Sequence, residues 1–330
     1  MMRLMAPSFW QNPAPTTLSN LLLPLSKATG FFTRQRQNQP SLKLPVPVLC
    51  CGNITVGGTG KTPMALHLLQ QLIRRGRTPH AITRGYGGRS RKTGLIHPEL
   101  DKAVDVGDET ILLARLAPTW RGPDRQANAL QAIAAGADCL VMDDGLQDPS
   151  LHKDMSILIV DGPAGLGNQR LLPAGPLRES LSDILPRLQA VVIFGEDRQH
   201  IAKQVPQSLP VLKGILSPGT SLHKLRGFQI IAFAGIGRPQ KFFSTLQEAG
   251  LTLLRTLTFP DHHIYSDREL KQLAQLAHAP DTMLVTTEKD YVKLPSLFQN
   301  FVISLDVEPR WSNPAIADEL LDHFLANDHG

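Results

Sequence analysis

The sequence predicts an α/β protein: a mostly parallel sheet with helices on both faces. Three observations predict it. Short apolar runs without polar alternation recur along the chain, as strands buried on both faces do. Stretches of helical periodicity separate them. Glycine or acidic clusters follow the runs, at the carboxyl ends of the strands, where sheets of this kind carry their functional residues.

The elements follow in order. Val46–Cys51 reads as a buried strand after a Pro-punctuated linker at residues 37–47, and a helical pattern covers Met64–Ile73. Ala81–Thr83 opens the next strand, and Ala127–Ala135 reads as a helix. Strands at Cys139–Met142, Ser156–Val160 and Ala190–Phe194 run into Asp143-Asp144-Gly145, Asp161-Gly162 and Gly195. A second unit begins near Gly227, after a Pro-, Gly- and Ser-bearing linker at residues 217–226. In it Gln229–Ala234, Thr252–Thr258 and Met283–Thr287 read as strands, and Lys241–Ala249 and Asp267–Ala277 as helices. The expected division is therefore 1–36, an N-terminal interfacial helix region; 37–222, the main domain; and 223–330, a smaller C-terminal α/β domain.

Composition narrows the function. Of 330 residues 42% are hydrophobic and 19% charged, which is globular and excludes wholesale disorder. Aromatics at 5% argue against a base-stacking nucleic-acid platform. Three cysteines make no disulfide framework and lack metal-ligand spacing, which suits a reducing compartment. The net charge of +5 hides an asymmetry: residues 1–98 hold 13 Lys and Arg and no acid, Glu99 being the first. Either this clustering is chance, or the N-terminal third sits near anions. No run approaches 18 uninterrupted apolar residues, so no ordinary membrane span is expected. The most apolar stretch, Leu18–Phe32, with Arg34 and Arg36 after it, admits three readings: a transit peptide, a buried helix or an interfacial helix.

The sharpest local signal is Thr55-Val56-Gly57-Gly58-Thr59-Gly60-Lys61-Thr62, between a strand and a helix. A phosphate-binding P-loop reads G-x-x-x-x-G-K-[ST]; here the closing Gly60-Lys61-Thr62 is intact and Thr55 replaces the opening glycine. The glycines free the backbone to wrap its N–H groups around phosphate oxygens, and the helix aims its positive end at the same anion. Lys61 would neutralise the β/γ-phosphates and the Thr62 hydroxyl would ligate Mg²⁺. The competing reading is a glycine-rich turn with an exposed lysine. The main domain is thus expected to be P-loop NTPase-like.

Asp143 and Asp144 end an apolar strand where such an enzyme places the acid near Mg²⁺, although Asp and Gly also make ordinary turns. Asp108-Glu109 precede a helical stretch, so they are either capping acids or a general base and metal ligand. Arg178-Glu179 close a Pro- and Gly-rich loop, where Arg178 is either a surface residue or a stabiliser of transferring phosphoryl charge. In Asp261-His262-His263 a proton relay competes with a structural role. Thr286–Asp290 is either turn chemistry or a closure over the nucleotide.

Together these pieces resemble the tetraacyldisaccharide 4′-kinase family, the lipid A 4′-kinases of Gram-negative bacteria. The resemblance runs from about Phe9-Trp10 to the last expected strand. Its blocks are Gly52-Asn53 with Gly57–Pro63, Thr83–Gly88, Val106–Glu109, Asp143–Gln147, Leu172–Glu179, Phe259–His262 and Thr286–Asp290. The opening P-loop glycine is absent in that family too. The resemblance implies a peripheral enzyme on the cytoplasmic face of the inner membrane. It would move the ATP γ-phosphate to the 4′-hydroxyl of an acylated glucosamine disaccharide 1-phosphate. Lys61 and Thr62 are then the P-loop pair, Asp108 the base with His262 as its partner, and Glu109, Asp143 and Asp144 the acids around Mg²⁺. Arg178 and Glu179 match the family's active-site Arg-Glu, with Glu179 counted among the metal acids. Arg84, Gly85 and Tyr86 fall where the family meets its lipid substrate. ATP and Mg²⁺ are the implied cofactors. The lipid and the inner-membrane surface are the implied partners; no nucleic acid and no obligate protein partner is expected. The resemblance favours an interfacial helix at Leu18–Phe32. One departure is Asp148, where many members carry His or Asn; it adds negative charge near the metal acids. His263 receives no role. The rivals are a P-loop switch or carrier that phosphorylates nothing, and a soluble small-molecule kinase.

Overall fold

A computed structural model describes residues 7–326 apart from Pro13, Pro15, Arg91, His278 and Pro280. It divides into two compact units. The first comprises residues 1–84, 124–215 and 310–330; the second comprises residues 85–123 and 216–309. The chain leaves the first unit at Arg84, returns at Asp124, leaves again at Ile215 and returns at Arg310.

In the first unit six parallel strands run side by side in the order Val211–Pro218, Ala190–Phe194, Met155–Asp161, Val48–Gly52, Cys139–Asp143, Pro79–Thr83. Val48–Gly52, Cys139–Asp143, Met155–Asp161 and Ala190–Phe194 are buried at every position, which explains their unbroken apolar runs. The chain fills one side of Val48–Gly52 with Pro79–Thr83 and Cys139–Asp143 before crossing to the other with Met155–Asp161. The crevice at such a reversal of strand order is where open α/β sheets bind ligands, and the phosphate loop leaves Val48–Gly52 there. The helices Lys61–Arg74 and Arg125–Ala134 bury Leu68, Leu69 and Leu72, and Ala129 and Ala132, respectively. The N-terminal stretch is helical, as Thr17–Leu21 and then Leu23–Gln37.

In the second unit four parallel strands are ordered Thr252–Thr258, Gln229–Ala234, Thr282–Thr287, Val302–Leu305. Gln229–Ala234 alternates between two cores, as the period-2 geometry of a strand requires. Ile230, Ala232 and Ala234 meet Phe242, Phe243 and Leu246 of the helix Pro239–Glu248. Ile231 and Phe233 meet Tyr265, and Leu270 and Leu273 of the helix Asp267–Leu276. That last helix begins at Asp267, as expected, and is capped by Ser266, which forms a reciprocal capping box with Glu269. The same unit carries the antiparallel pair Gly94–Ile96 and Thr119–Arg121. The expected linker at 217–226 is ordered. It contains the 3₁₀ turn Thr220–Leu225, with Leu225 fully buried and Ser221 held by Asp306.

Candidate active site

The phosphate loop follows a fully buried strand and ends at the first turn of Lys61–Arg74. Gly57 and Gly60 take φ of 120° and 90°, a region that side chains rarely enter, so both positions need glycine. The buried Asn53 amide donates to Thr59 Oγ1 at 3.1 Å, and more weakly to Thr55 Oγ1 and the Gly57 carbonyl at 3.4 Å. A second brace comes from the Pro- and Gly-rich loop. The Val56 N–H donates to the Pro176 carbonyl at 2.9 Å, and the Arg178 N–H to the Ile54 carbonyl at 2.7 Å. Thr62 is buried in the first helical turn.

Asp143 is the buried last residue of its strand, in register with Cys51. Asp144 turns the chain at φ 54°, a left-handed conformation that Asp tolerates. Its Oδ2 lies 2.9 Å from an Arg178 guanidinium nitrogen and 3.8 Å from Lys61 Nζ. Burial would push this carboxyl up, but Lys61, Arg178 and Arg125 outweigh burial and hold it below its ordinary value. Arg178 is therefore half-exposed but engaged, not a free surface arginine. Glu179 is buried and paired with Arg187; burial dominates and raises its carboxyl above the ordinary range. Asp148 does not leave an unanswered charge. Arg125 lies 3.5 Å from it, Asp148 accepts from the Ser150 N–H at 3.0 Å, and Lys153 donates to its carbonyl.

Do these residues fit a divalent cation? Asp144 Oδ1 and Glu179 Oε2 are buried and find no hydrogen-bond partner among the described residues. Hard oxygen donors of this kind, with a buried threonine hydroxyl, suit Mg²⁺. Among the described residues no group of three or more His, Cys, Asp or Glu is placed to hold a metal alone.

The second unit holds the other predicted residues except Arg84. Asp108 and Glu109 form the first turn of the helix Asp108–Leu116, where the helix dipole favours negative charge. Asp108 is only 4% exposed. His262 Nδ1 lies 3.1 Å from its Oδ2, and the Glu109 N–H donates to its Oδ1 at 3.0 Å. Burial would raise this carboxyl; the His262 hydrogen bond and charge, then Lys289 and Lys293, more than offset that and hold it below the usual range. Glu109 pairs with Lys289. Tyr86 is 68% exposed, with its ring 6.4 Å from that of His262. Gly85 has no room for a side chain, since a Cβ there would meet the Arg121 side chain at 1.9 Å. Arg84 is exposed at the last residue of the first unit's N-terminal segment.

Sequence reasoning assigned no role to His263 and named Asp290 only as the end of Thr286–Asp290, with turn chemistry or closure over the nucleotide as its readings. His263 stacks on Phe259 and lies 3.0 Å from Glu269, a structural part. Asp290 is fully buried and accepts from the Gly235 N–H at 2.9 Å, Tyr265 at 3.0 Å and Thr287 at 2.7 Å, with Lys293 at 2.7 Å. The Gly235 carbonyl in turn accepts from the His262 N–H at 3.0 Å. Thus Thr286–Asp290 fixes the turn on which His262, and through it Asp108, depends. The one signal in the sequence was an acid at a strand end, which turn chemistry also explains.

The model of the family described as tetraacyldisaccharide-1-P 4′-kinase matches residues 18–326. The chain belongs to this family. A tetraacyldisaccharide 4′-kinase of Gluconobacter oxydans is 50% identical over 316 residues, 96% of this chain and 97% of that one. Another, of Gluconacetobacter diazotrophicus, is 45% identical over 97% of this chain and 98% of that one. A crystal structure of LpxK from Aquifex aeolicus in complex with ATP superposes with a TM-score of 0.77 at 26% identity, covering 93% of this chain and 99% of that one. Membership of the tetraacyldisaccharide-1-P 4′-kinase family makes this chain a kinase and leaves the switch or carrier reading without support. It also accounts for the α/β fold built around a phosphate loop. No helix among the described residues of this family member is long and apolar enough to cross a membrane.

Proposed function

We propose that the chain transfers the γ-phosphoryl group of ATP to the 4′-hydroxyl of an acylated glucosamine disaccharide 1-phosphate. The observation that carries this reading is Asp108, a buried carboxylate kept ionised by His262 at a helix N-terminus, in a kinase that also bears a braced phosphate loop. Such a carboxylate needs no titration at neutral pH to accept the hydroxyl's proton. Lys61 and the loop amides hold the β/γ-phosphates. Arg178 steadies the charge that spreads over the transferring group. His262 fixes the carboxylate's orientation. Thr62 with Asp144 and Glu179 would hold Mg²⁺, with Asp143 and Glu109 as further acids of the site; the ion would neutralise developing phosphate charge. Most of the rate enhancement then comes from positioning and electrostatics, as is usual for phosphoryl transfer. Arg84, Gly85 and Tyr86 would meet the lipid.

The N-terminal helices support the membrane part of this reading. Leu18, Leu21, Leu25, Phe31 and Phe32 are exposed, and Leu21 is 76% exposed. Lys27, Arg34 and Arg36 lie in the same segment. An apolar outward face with basic residues suits a peripheral position on an anionic bilayer, where an acylated substrate resides. The test is to incubate the protein with Mg²⁺, γ-labelled ATP and the acylated disaccharide 1-phosphate in detergent. Label on the sugar lipid is expected. Release of inorganic phosphate with no labelled lipid would overturn the assignment.

A further inference from the structure

The N-terminal helices turn an unusual face inward. The apolar side chains point out, while the buried positions are Ser19 in the first helix and Ser26 and Gly30, four residues apart on one face, in the second. Gly30 lets the helix come close, since a Cβ there would lie 2.7 Å from Leu171 Cδ1. The two serine hydroxyls each serve the backbone of the same loop. Ser19 Oγ donates to the Ala174 carbonyl at 2.7 Å, and Ser26 Oγ to the Leu171 carbonyl at 2.7 Å. Ser26 Oγ also accepts from the Ala174 N–H at 3.1 Å. Asn168 and Arg170 both reach Ser19 Oγ, at 3.2 and 2.9 Å, and Trp10 Nε1 donates to the Pro173 carbonyl at 3.1 Å. Two residues beyond this anchorage, the same loop braces the phosphate loop through Pro176 and Arg178, and Arg178 reaches Asp144.

We propose that Ser19 and Ser26 are positioning residues for ATP: besides facing the lipid, the N-terminal helices hold the loop that shapes the phosphate cradle and aims Arg178. This rests on the kinase reading above. A helix that served only as an anchor would need no buried hydroxyls directed at loop carbonyls, because apolar contact would hold it as well.

The test uses the full chain in detergent and compares Ser26→Ala, Ser26→Thr and the double variant Ser19→Ala/Ser26→Ala with wild type. The KM for ATP is measured at saturating lipid acceptor, and the KM for the acceptor at saturating ATP. Ser26→Ala is expected to raise the KM for ATP about fivefold or more while the acceptor KM stays within twofold. Ser26→Thr, which keeps the hydroxyl, is expected to recover most of the loss. Both alanine variants within twofold of wild type for ATP would overturn the proposal, as would a change confined to the acceptor KM. A measurement on the wild-type protein is independent of how the variants fold. Adding Mg-ATP should slow hydrogen exchange in peptides covering residues 16–30 and 170–179. Unchanged exchange there, with ATP bound, would also contradict the proposal. A wild-type protein that binds no ATP would instead sink the kinase reading.

Discussion

Asp108 carries the chemical argument, and its environment predicts a pH signature. Its carboxyl is held below the ordinary value in the folded protein, so it remains ionised and paired above that value and loses the pairing as pH falls through the folded pKa. The acid limb that Asp108 contributes to kcat therefore lies below the usual carboxylate range. In His262→Ala burial persists while the largest opposing interaction is gone, so that limb should move to higher pH. A pH–rate profile of the variant checks this; a limb that stays in place would mean that His262 does not hold the Asp108 charge. At this scale the sequence was legible where residue types are rare and spacing is strict, as in Gly60-Lys61-Thr62. It was not legible for Lys289 and Lys293, whose influence on Asp108 comes from a strand end some 180 residues further along the chain. Nor was it legible for Asp148, whose charge is answered by Arg125 from another element.

Among the elements, those buried on both faces announced themselves. Cys139–Asp143 and Ala190–Phe194 are apolar because every position is covered. Three of the strands that went unread have local reasons. Val211–Pro218 carries Lys213 and Gly214 and is exposed at alternate positions; Val307–Trp311 contains Pro309 between two charges; Gly94–Ile96 has only three residues. Two predictions belong here. Asp290 is completely buried, bonds three donors and pairs with Lys293, which is itself nearly buried. Removing one partner of a buried pair leaves the other charge uncompensated, at a cost of about 3–5 kcal/mol. Asp290→Ala should therefore lower Tm markedly in a thermal melt, and a near-wild-type Tm would show that the Gly235 turn is held by something else. The outward leucines give the second. Burying a leucine side chain is worth about 1.5–3 kcal/mol. Leu21→Ser/Leu25→Ser should accordingly weaken sedimentation with anionic vesicles by more than tenfold. Unchanged vesicle binding would remove these helices as the membrane contact.

For the whole molecule, charge and topology tell different stories. The acid-free first 98 residues were visible in composition, and they supply the phosphate loop, its lysine and the N-terminal helices. The division into units was not visible, because no local signal marks Arg84 or Asp124 as a crossing point. The central claim concerns the molecule as a working enzyme: Asp108 acts in the chemical step and not in binding nucleotide. The most direct test is the single-turnover rate of γ-phosphoryl transfer to the acylated disaccharide by Asp108→Asn, at saturating Mg-ATP and acceptor, beside its affinity for ATP. The account predicts a rate about 10²–10⁴-fold below wild type, with ATP affinity unchanged. A rate near that of the wild type would contradict it.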